Sequence, residues 1–97
     1  MPLYAELITW TDQGARAAKD SVKRYEALAG MAQSLGAKIQ NVWWTMGQYD
    51  AVAILDAPDD ATASRFAIAA GSQGNIRTVT MRAYTKEEMS KILAALP

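Results

Sequence analysis

The order of strand-like and helix-like segments along this chain is the feature that most limits its possible folds. Four segments alternate apolar and polar residues or are rich in β-branched and aromatic residues, which predicts strands at residues 3–10, 37–46, 51–57 and 75–84. Helices, indicated by apolar residues three and four apart, are predicted at residues 15–35, 58–70 and 86–96. The predicted order is therefore βαββαβ followed by a terminal helix.

The ends of the predicted helices are marked by residues that favour caps and stops. Asp12 is the predicted N-cap of the first helix, and Gly36 is its stop signal. Pro58 suits the first turn of the second helix, and the acidic residues that follow it complement the helix dipole there.

This order of elements is that of the ferredoxin-like split βαβ arrangement, an α+β fold with a four-stranded antiparallel sheet. Right-handed crossovers place both connecting helices on one side of the sheet and leave the other side bare. We expect the bare side to carry Tyr4, Ile8 and Trp10, together with one of Trp43 and Trp44. Such a surface is too apolar for water, so we expect a second copy of the chain to cover it in a homodimer or larger oligomer.

Two missing residue types limit the chemistry. The 97 residues, which we expect to form one domain, include no Cys and no His. Disulfides, thiolate nucleophiles, zinc sites and histidine acid–base catalysis are therefore excluded, and we expect neither a metal nor a cofactor. The 10 basic and 10 acidic side chains give a net charge of zero, which argues against a nucleic-acid partner. No long apolar run or signal-peptide pattern is present, so we expect no membrane association and a cytoplasmic location.

A short polar stretch, Gly47-Gln48-Tyr49-Asp50, separates the second and third predicted strands. In a structural interpretation Gly47 turns the chain with a positive φ, Tyr49 covers the end of a tight hairpin, and Asp50 accepts a hydrogen bond from a backbone N–H. In a functional interpretation Tyr49 and Asp50 are a polar pair at the rim of a pocket. Spacing alone favours the structural interpretation.

Glu6 and Arg82 are the titratable residues best placed on strands to form a site. The first and last strands are neighbours in this fold, so the two side chains are expected to lie close together. In a functional interpretation Arg82 binds an anionic ligand, and Glu6, desolvated by aromatic rings, acts as a base with a raised pKa. The alternative, which we favour, is a structural ion pair between strands or across a dimer interface.

Trp43 and Trp44 are adjacent, so their rings must point to opposite faces of the sheet. The sequence does not decide which ring faces the bare side. Trp44 is retained as a candidate ligand-binding residue, although packing at an interface is the favoured role for the outward ring.

Two longer stretches resemble the GYD domain family, a family of small bacterial proteins. They are MGQYDAVAILDAPDD, which begins at Met46, and GSQGNIRTVTMRAY, which begins at Gly71. Gln48 stands between the Gly and the Tyr of the motif that names the family. The resemblance implies a ferredoxin-like fold related to dimeric α/β barrels and a bacterial origin, and it implies no established activity.

Two classes of function follow from these features. The first is a small-molecule-binding or self-assembly module that forms homo-oligomers through its open sheet face. The alternative is a cofactor-free enzyme, isomerase-like or monooxygenase-like, acting on a small apolar or anionic substrate by analogy of fold. A cavity between sheet and helices, lined by Arg82 or Asp50, would favour an enzyme or ligand carrier, and a filled interior would favour assembly.

Overall fold

The computed structural model describes residues 1–97, and its elements follow the predicted order. The strands are β1 (Leu3–Trp10), β2 (Lys38–Trp44), β3 (Ala51–Asp56) and β4 (Ile76–Ala83). The helices are α1 (Asp12–Arg16), α2 (Ser21–Ser34), α3 (Asp60–Ser72) and α4 (Lys86–Ala94), with a 3₁₀ turn at Ala18–Asp20 between α1 and α2. No helix combines the length and the apolar character needed to cross a membrane.

The four strands form one antiparallel sheet in the order β2-β3-β1-β4. The predicted α+β, ferredoxin-like arrangement with a C-terminal helix is therefore confirmed. The central strand β1 has β3 on one side and β4 on the other, and this register sets Glu6 between Ala53 and Thr80.

The core lies between the sheet and one layer of helices. Tyr4 and Leu55 from the sheet are buried in one cluster with Ala32 of α2 and Phe66 of α3. Both crossover helices therefore cover the same side of the sheet, as the handedness rule predicts.

The prediction for the bare side named the wrong residues of β1. Tyr4 is 3% exposed and donates a hydrogen bond to Asp60 at the start of α3, so its side of the strand faces the helices. Strand alternation then places Ile8 and Trp10 on the helix side as well. The physical reason is space: β3 presents small alanines to the helices, such as Ala53, and this leaves room on the helix side for the larger side chains of β1.

The uncovered side of the sheet is nevertheless apolar. We define the open face by six side chains on this side: Leu7, Trp43, Val52, Ile54, Val79 and Met81. Trp43, Val79 and Met81 are 52%, 49% and 44% exposed. The register also shows which of the two adjacent tryptophans faces the open side. Trp43 pairs with Val52 of the open face, and Trp44 therefore points toward the helices.

The first predicted helix does not run unbroken from residue 15 to residue 35, and Asp12 is not its N-cap. Thr11 caps the short helix α1 instead, and its hydroxyl accepts a hydrogen bond from the N–H of Gly14. Gly14 packs against the backbone of Asn75, where an added Cβ would lie 1.9 Å from the carbonyl oxygen. This close approach ties α1 to the start of β4.

Arg24 stabilises the break between α1 and α2. Its guanidinium donates to the carbonyl oxygens of Ala17 (2.7 Å) and Gly14 (3.4 Å), which lie at the carboxyl end of α1. The side chain thus replaces partners that a continuous helix would supply. Gly36 ends α2 with a φ of 85°, as predicted.

The second predicted helix begins later than expected, because its cap is Asp59 rather than the turn at Pro58. The carboxylate of Asp59 accepts hydrogen bonds from the N–H of Thr62 (2.8 Å) and from its hydroxyl (2.7 Å). These bonds lower the pKa of Asp59. Helix α3 therefore starts at Asp60.

Helix α4 has a well-capped first turn, but none of its side chains is buried. Thr85 and Glu88 form a reciprocal capping box at its first turn. No residue of α4 is buried, and its apolar stripe is 38% to 65% exposed at Met89, Ile92, Leu93 and the following Leu96. The stripe is a second apolar surface of the chain, separate from the open face.

Candidate functional site

The stretch from Gly47 to Asp50 fastens the β2–β3 connection to β1. Gly47 has a φ of 107°, as the structural interpretation predicts. The carboxylate of Asp50 accepts a hydrogen bond from the N–H of Trp10 (2.8 Å), and the N–H of Asp50 donates to the carbonyl of Ile8 (2.8 Å). Asp50 therefore closes the end of the β1 ladder, which is the role the structural interpretation gives it.

The connection is longer than a tight hairpin. It runs over six residues, 45–50, because β3 begins only at Ala51. Thr45 spans the loop: its hydroxyl donates to the carbonyl of Tyr49 (2.7 Å), and its N–H donates to the carbonyl of Asp50 (2.9 Å). Tyr49 is half-buried and contributes its backbone to these bonds.

The guanidinium of Arg82 contacts a carboxylate, two backbone carbonyls and an aromatic ring. Its guanidinium forms an ion pair with Glu88 (3.3 Å) and donates to the carbonyls of Leu3 (3.2 Å) and Ala83. It also lies over the ring of Tyr84, 4.7 Å from the centroid. Arg82 thus joins the end of β4 to the first turn of α4.

The Glu6–Arg82 ion pair favoured from the sequence does not form. The antiparallel register sets Thr80 opposite Glu6, and Arg82 is opposite Tyr4. Arg82 takes Glu88 as its acidic partner, while the hydroxyl of Thr80 donates to Oε2 of Glu6 at 2.6 Å. Thr80 was not predicted as the partner of Glu6, although the alternation of β4 places it on the same face as Arg82.

Glu6 is the most unusual titratable group of the chain. It is 1% exposed, and its Oε1 has no hydrogen-bond partner. Burial raises its pKa to about 7, and the hydrogen bond from Thr80 opposes this rise without cancelling it. A carboxyl group with such a pKa can gain or lose a proton near neutrality.

Trp44 lies at the outer edge of the helix side. Its indole N–H donates to the hydroxyl of Ser21 at the start of α2 (2.9 Å), and its ring meets Tyr25 edge to face at 5.9 Å. These two contacts connect the edge strand β2 to α2. Ser21 and Tyr25 were not singled out from the sequence, because their contacts with Trp44 depend on how α2 is placed.

Two adjoining cavities lie between α2 and the sheet. The inner cavity, of about 40 Å³, is lined by apolar side chains together with Glu6 and Thr78. The outer cavity, of about 50 Å³, is lined by Trp10, Trp44 and Arg24 among others. Neither cavity is lined by Asp50 or Tyr49, and Arg82 lines a separate open groove between the sheet and α3, so the structure separates the five predicted candidates instead of gathering them in one pocket. No group of three or more acidic side chains is placed to hold a metal ion.

The topology and the arrangement of side chains define a small ferredoxin-like domain with a buried carboxyl group inside and an apolar sheet face outside. The GYD domain family model matches residues 4–93, and the protein belongs to this family. A protein of Thermus thermophilus is 30% identical over 84 residues, which cover 86% of this chain and 88% of the relative. That relative is named glutamine synthetase and cystathionine beta-lyase binding protein. No solved structure matches significantly.

Proposed function

We propose that this protein is a protein-binding module that self-associates through its open face. The observation that carries the proposal is the exposure of Trp43 on one edge strand, β2, and of Val79 and Met81 on the other, β4, on the same uncovered side of the sheet, with Val52 and Leu7 between them. Monomeric proteins rarely leave a contiguous patch of this kind in water, and such patches mark interaction sites.

The distribution of charge on the open face also supports self-association. Its centre, around Leu7 and Val52, carries no charged side chain, whereas Asp56 and Arg77 lie on the same side of the sheet at opposite ends of their strands. An apolar centre with charges at the rim is the usual anatomy of a protein interface. A second copy supplies the same flat surface, and two such sheets can stack face to face.

The partner of the assembled module is proposed to be another protein, and the apolar stripe of α4 is the surface we assign to it. The named relative is a binding protein for two enzymes, and 88% of its length aligns with this chain. Ile92 and Leu93 are 44% and 55% exposed on a helix that buries no residue of its own. An amphipathic helix of this kind is suited to an apolar groove on a partner.

Self-association is tested with charge substitutions on and off the open face. Val79→Lys and Met81→Lys should each reduce the measured mass to that of one chain in size-exclusion chromatography with light scattering. Ile68→Lys is the matched control, because Ile68 is 72% exposed on α3, away from the open face. Equal masses for all three variants and the wild type would reject the open face as the interface.

Partner binding is tested with the glutamine synthetase and the cystathionine β-lyase of this protein's own organism, each immobilised in turn. Ile92→Lys and Leu93→Lys should weaken binding at least tenfold without changing the oligomeric mass. Val22→Lys is the control, since Val22 is 56% exposed on α2. Failure of the wild type to bind either enzyme would remove the proposal for these partners and leave the self-association result unaffected.

A second candidate function is a cofactor-free enzyme, and the observation that favours it is the buried carboxyl group of Glu6 with its raised pKa. Its test is turnover: the wild type should deplete a component of a small-metabolite mixture that Glu6→Gln leaves intact. Equal metabolite profiles for the two proteins would argue against catalysis by Glu6.

A further inference from the structure

A polar groove lies between the start of α3 and the strands β1 and β4. It has a volume of about 290 Å³ and is open to solvent, so small molecules can enter it. Its lining combines one acid, one base and three hydroxyl groups on a small scale: Tyr4, Asp60, Ser64, Thr80 and Arg82, together with Ala63. A concave site with a few converging polar groups is the usual form of a small-molecule site.

Two opposite charges line this groove without pairing with each other. Asp60 accepts a hydrogen bond from the hydroxyl of the buried Tyr4 (2.6 Å). Arg82 is opposite Tyr4 in the register of β1 and β4, and its guanidinium carbon lies 5.7 Å from the centroid of the Tyr4 ring. Arg82 forms its ion pair with Glu88, and no cation of the chain pairs with Asp60. The groove therefore presents both charges to a molecule that enters it.

Both charged groups keep hydrogen-bonding capacity for a ligand. A guanidinium has five N–H donors, and Arg82 directs three of them to the carbonyls of Leu3 and Ala83 and to Glu88. The other two, one on Nε and one on Nη2, have no acceptor in the chain and suit a carboxylate. On Asp60 the hydrogen bond from Tyr4 occupies Oδ1, and Oδ2 has no donor in the chain.

The existing contacts hold these groups in place before a ligand arrives. Arg82 is fixed by its three hydrogen bonds, and Asp60 is fixed by the hydroxyl of Tyr4. Groups that are already ordered lose little conformational freedom on binding, so more of the interaction energy remains as affinity.

The charges also select against ligands with a single charge. A carboxylate alone would be attracted by Arg82 but repelled by Asp60 and Glu88, and an amine alone would be repelled by Arg82. A zwitterion can place each of its charges beside the opposite charge of the groove. An α-amino acid carries an ammonium and a carboxylate on one carbon, and each can form charge-assisted hydrogen bonds.

We propose that the groove binds a free α-amino acid with a small side chain, with the ammonium donating to Oδ2 of Asp60 and the carboxylate accepting from Arg82. The hydroxyls of Ser64 and Thr80 suit a short side chain, and the remaining lining residue, Ala63, leaves space for it. An engineered cavity of about 150 Å³ takes benzene. L-alanine has as many heavy atoms as benzene and therefore fits in the larger volume of this groove. This inference does not rest on self-association.

The experiment is an NMR titration of the ¹⁵N-labelled protein with L-alanine, ethylamine and propionate. Ethylamine is alanine without its carboxylate, and propionate is alanine without its amino group. L-alanine should shift the backbone amide signals of residues 60–64 and of Arg82 in a saturable way. It should bind at least about tenfold more tightly than either of the other compounds, because each of them lacks one charge-assisted contact.

Two carboxylate variants test the ammonium contact. Asp60→Asn keeps an acceptor for Tyr4 and removes the charge, so it should weaken L-alanine about tenfold. Asp12→Asn is the matched control, because Asp12 is likewise an exposed first residue of a helix and does not line the groove. The control should leave the affinity for L-alanine unchanged.

Two further variants test the other parts of the site. Arg82→Lys keeps the positive charge but loses the two adjacent donors, so it should weaken L-alanine and not ethylamine. Ser64→Leu fills the groove without changing its charge and should abolish the shifts caused by L-alanine. Ser90→Leu, at an exposed serine of α4 outside the groove, is the control for the added bulk and should keep them.

Several results would overturn the proposal. They are no saturable shifts with L-alanine, binding of ethylamine or propionate as tight as that of L-alanine, or equal weakening by Asp60→Asn and Asp12→Asn. If Asp60→Asn fails to fold, Ser64→Leu decides the question, because L-alanine binding that it leaves intact would reject the groove. The Val79→Lys variant separates this proposal from the proposed function, since it should lose self-association and keep L-alanine.

Discussion

The Glu6→Gln substitution tests the electrostatics of the interior, and its expected effect follows from the pKa of Glu6. The ordinary pKa of 4.5 applies in the unfolded chain, and burial raises it to about 7 in the fold. Below pH 4.5 both states hold the proton, and folding bears no ionisation penalty. Between pH 4.5 and pH 7 the unfolded chain loses the proton first, so wild-type stability falls as the pH rises. The full penalty, about 3 kcal/mol, is present above pH 7.

Gln keeps an acceptor for the hydroxyl of Thr80 and cannot ionise. The stability of Glu6→Gln relative to the wild type should therefore increase by about 3 kcal/mol between pH 4.5 and pH 8. Urea unfolding followed by tryptophan fluorescence, at fixed protein concentration and at several pH values, measures this difference. The lowered pKa values of Asp59 and Glu88 affect both proteins equally and cancel in the comparison. A difference in stability that does not change with pH would refute the reasoning.

Three further substitutions test local packing and capping by urea unfolding. Gly14→Ala should destabilise by about 3 kcal/mol, because the added Cβ would lie 1.9 Å from the carbonyl oxygen of Asn75 and the backbone must move. Gly30→Ala is its matched control on α2: nothing lies within 4 Å of its added Cβ, so it should stabilise by up to about 1 kcal/mol. Equal effects of the two glycine substitutions would contradict the packing of α1 against β4. Asp50→Ala should cost about 1 kcal/mol, because the N–H of Trp10 loses its acceptor, and an unchanged unfolding midpoint would show that this hydrogen bond contributes nothing.

The order and approximate ends of the elements could be predicted because they depend on local chemistry. Alternating residues of β4, such as Thr78 and Thr80, identify a strand without any tertiary information. Gly36 and Gly47 take positive φ values, which glycine adopts at little cost, so both turns are visible in the sequence.

The side of the sheet that the helices cover could not be predicted from β1. Both of its faces are apolar: Tyr4 and Ile8 alternate with Leu3 and Leu7. Periodicity reveals two faces but does not say which one the helices cover. The residues that indicate the covered side lie on β3, where small buried alanines leave room for the helices to pack.

The break in the first helix and the partner of Glu6 depend on long-range contacts. Gly14 meets Asn75, which lies 61 residues later, and this contact fixes α1 against the start of β4. Glu6 meets Thr80 through the register of two strands that are distant in sequence. Arg82 pairs with Glu88 instead, so a pairing proposed from charge and from the adjacency of the two strands named the wrong partner.

Sedimentation equilibrium of the wild type tests most directly the claim that a second copy covers the open face. At micromolar concentration the mass should equal that of at least two chains and should fall toward one chain on dilution or with Val79→Lys. A mass of one chain at every concentration would contradict the claim, because Trp43, Val79 and Met81 would then be exposed to water in a stable monomer.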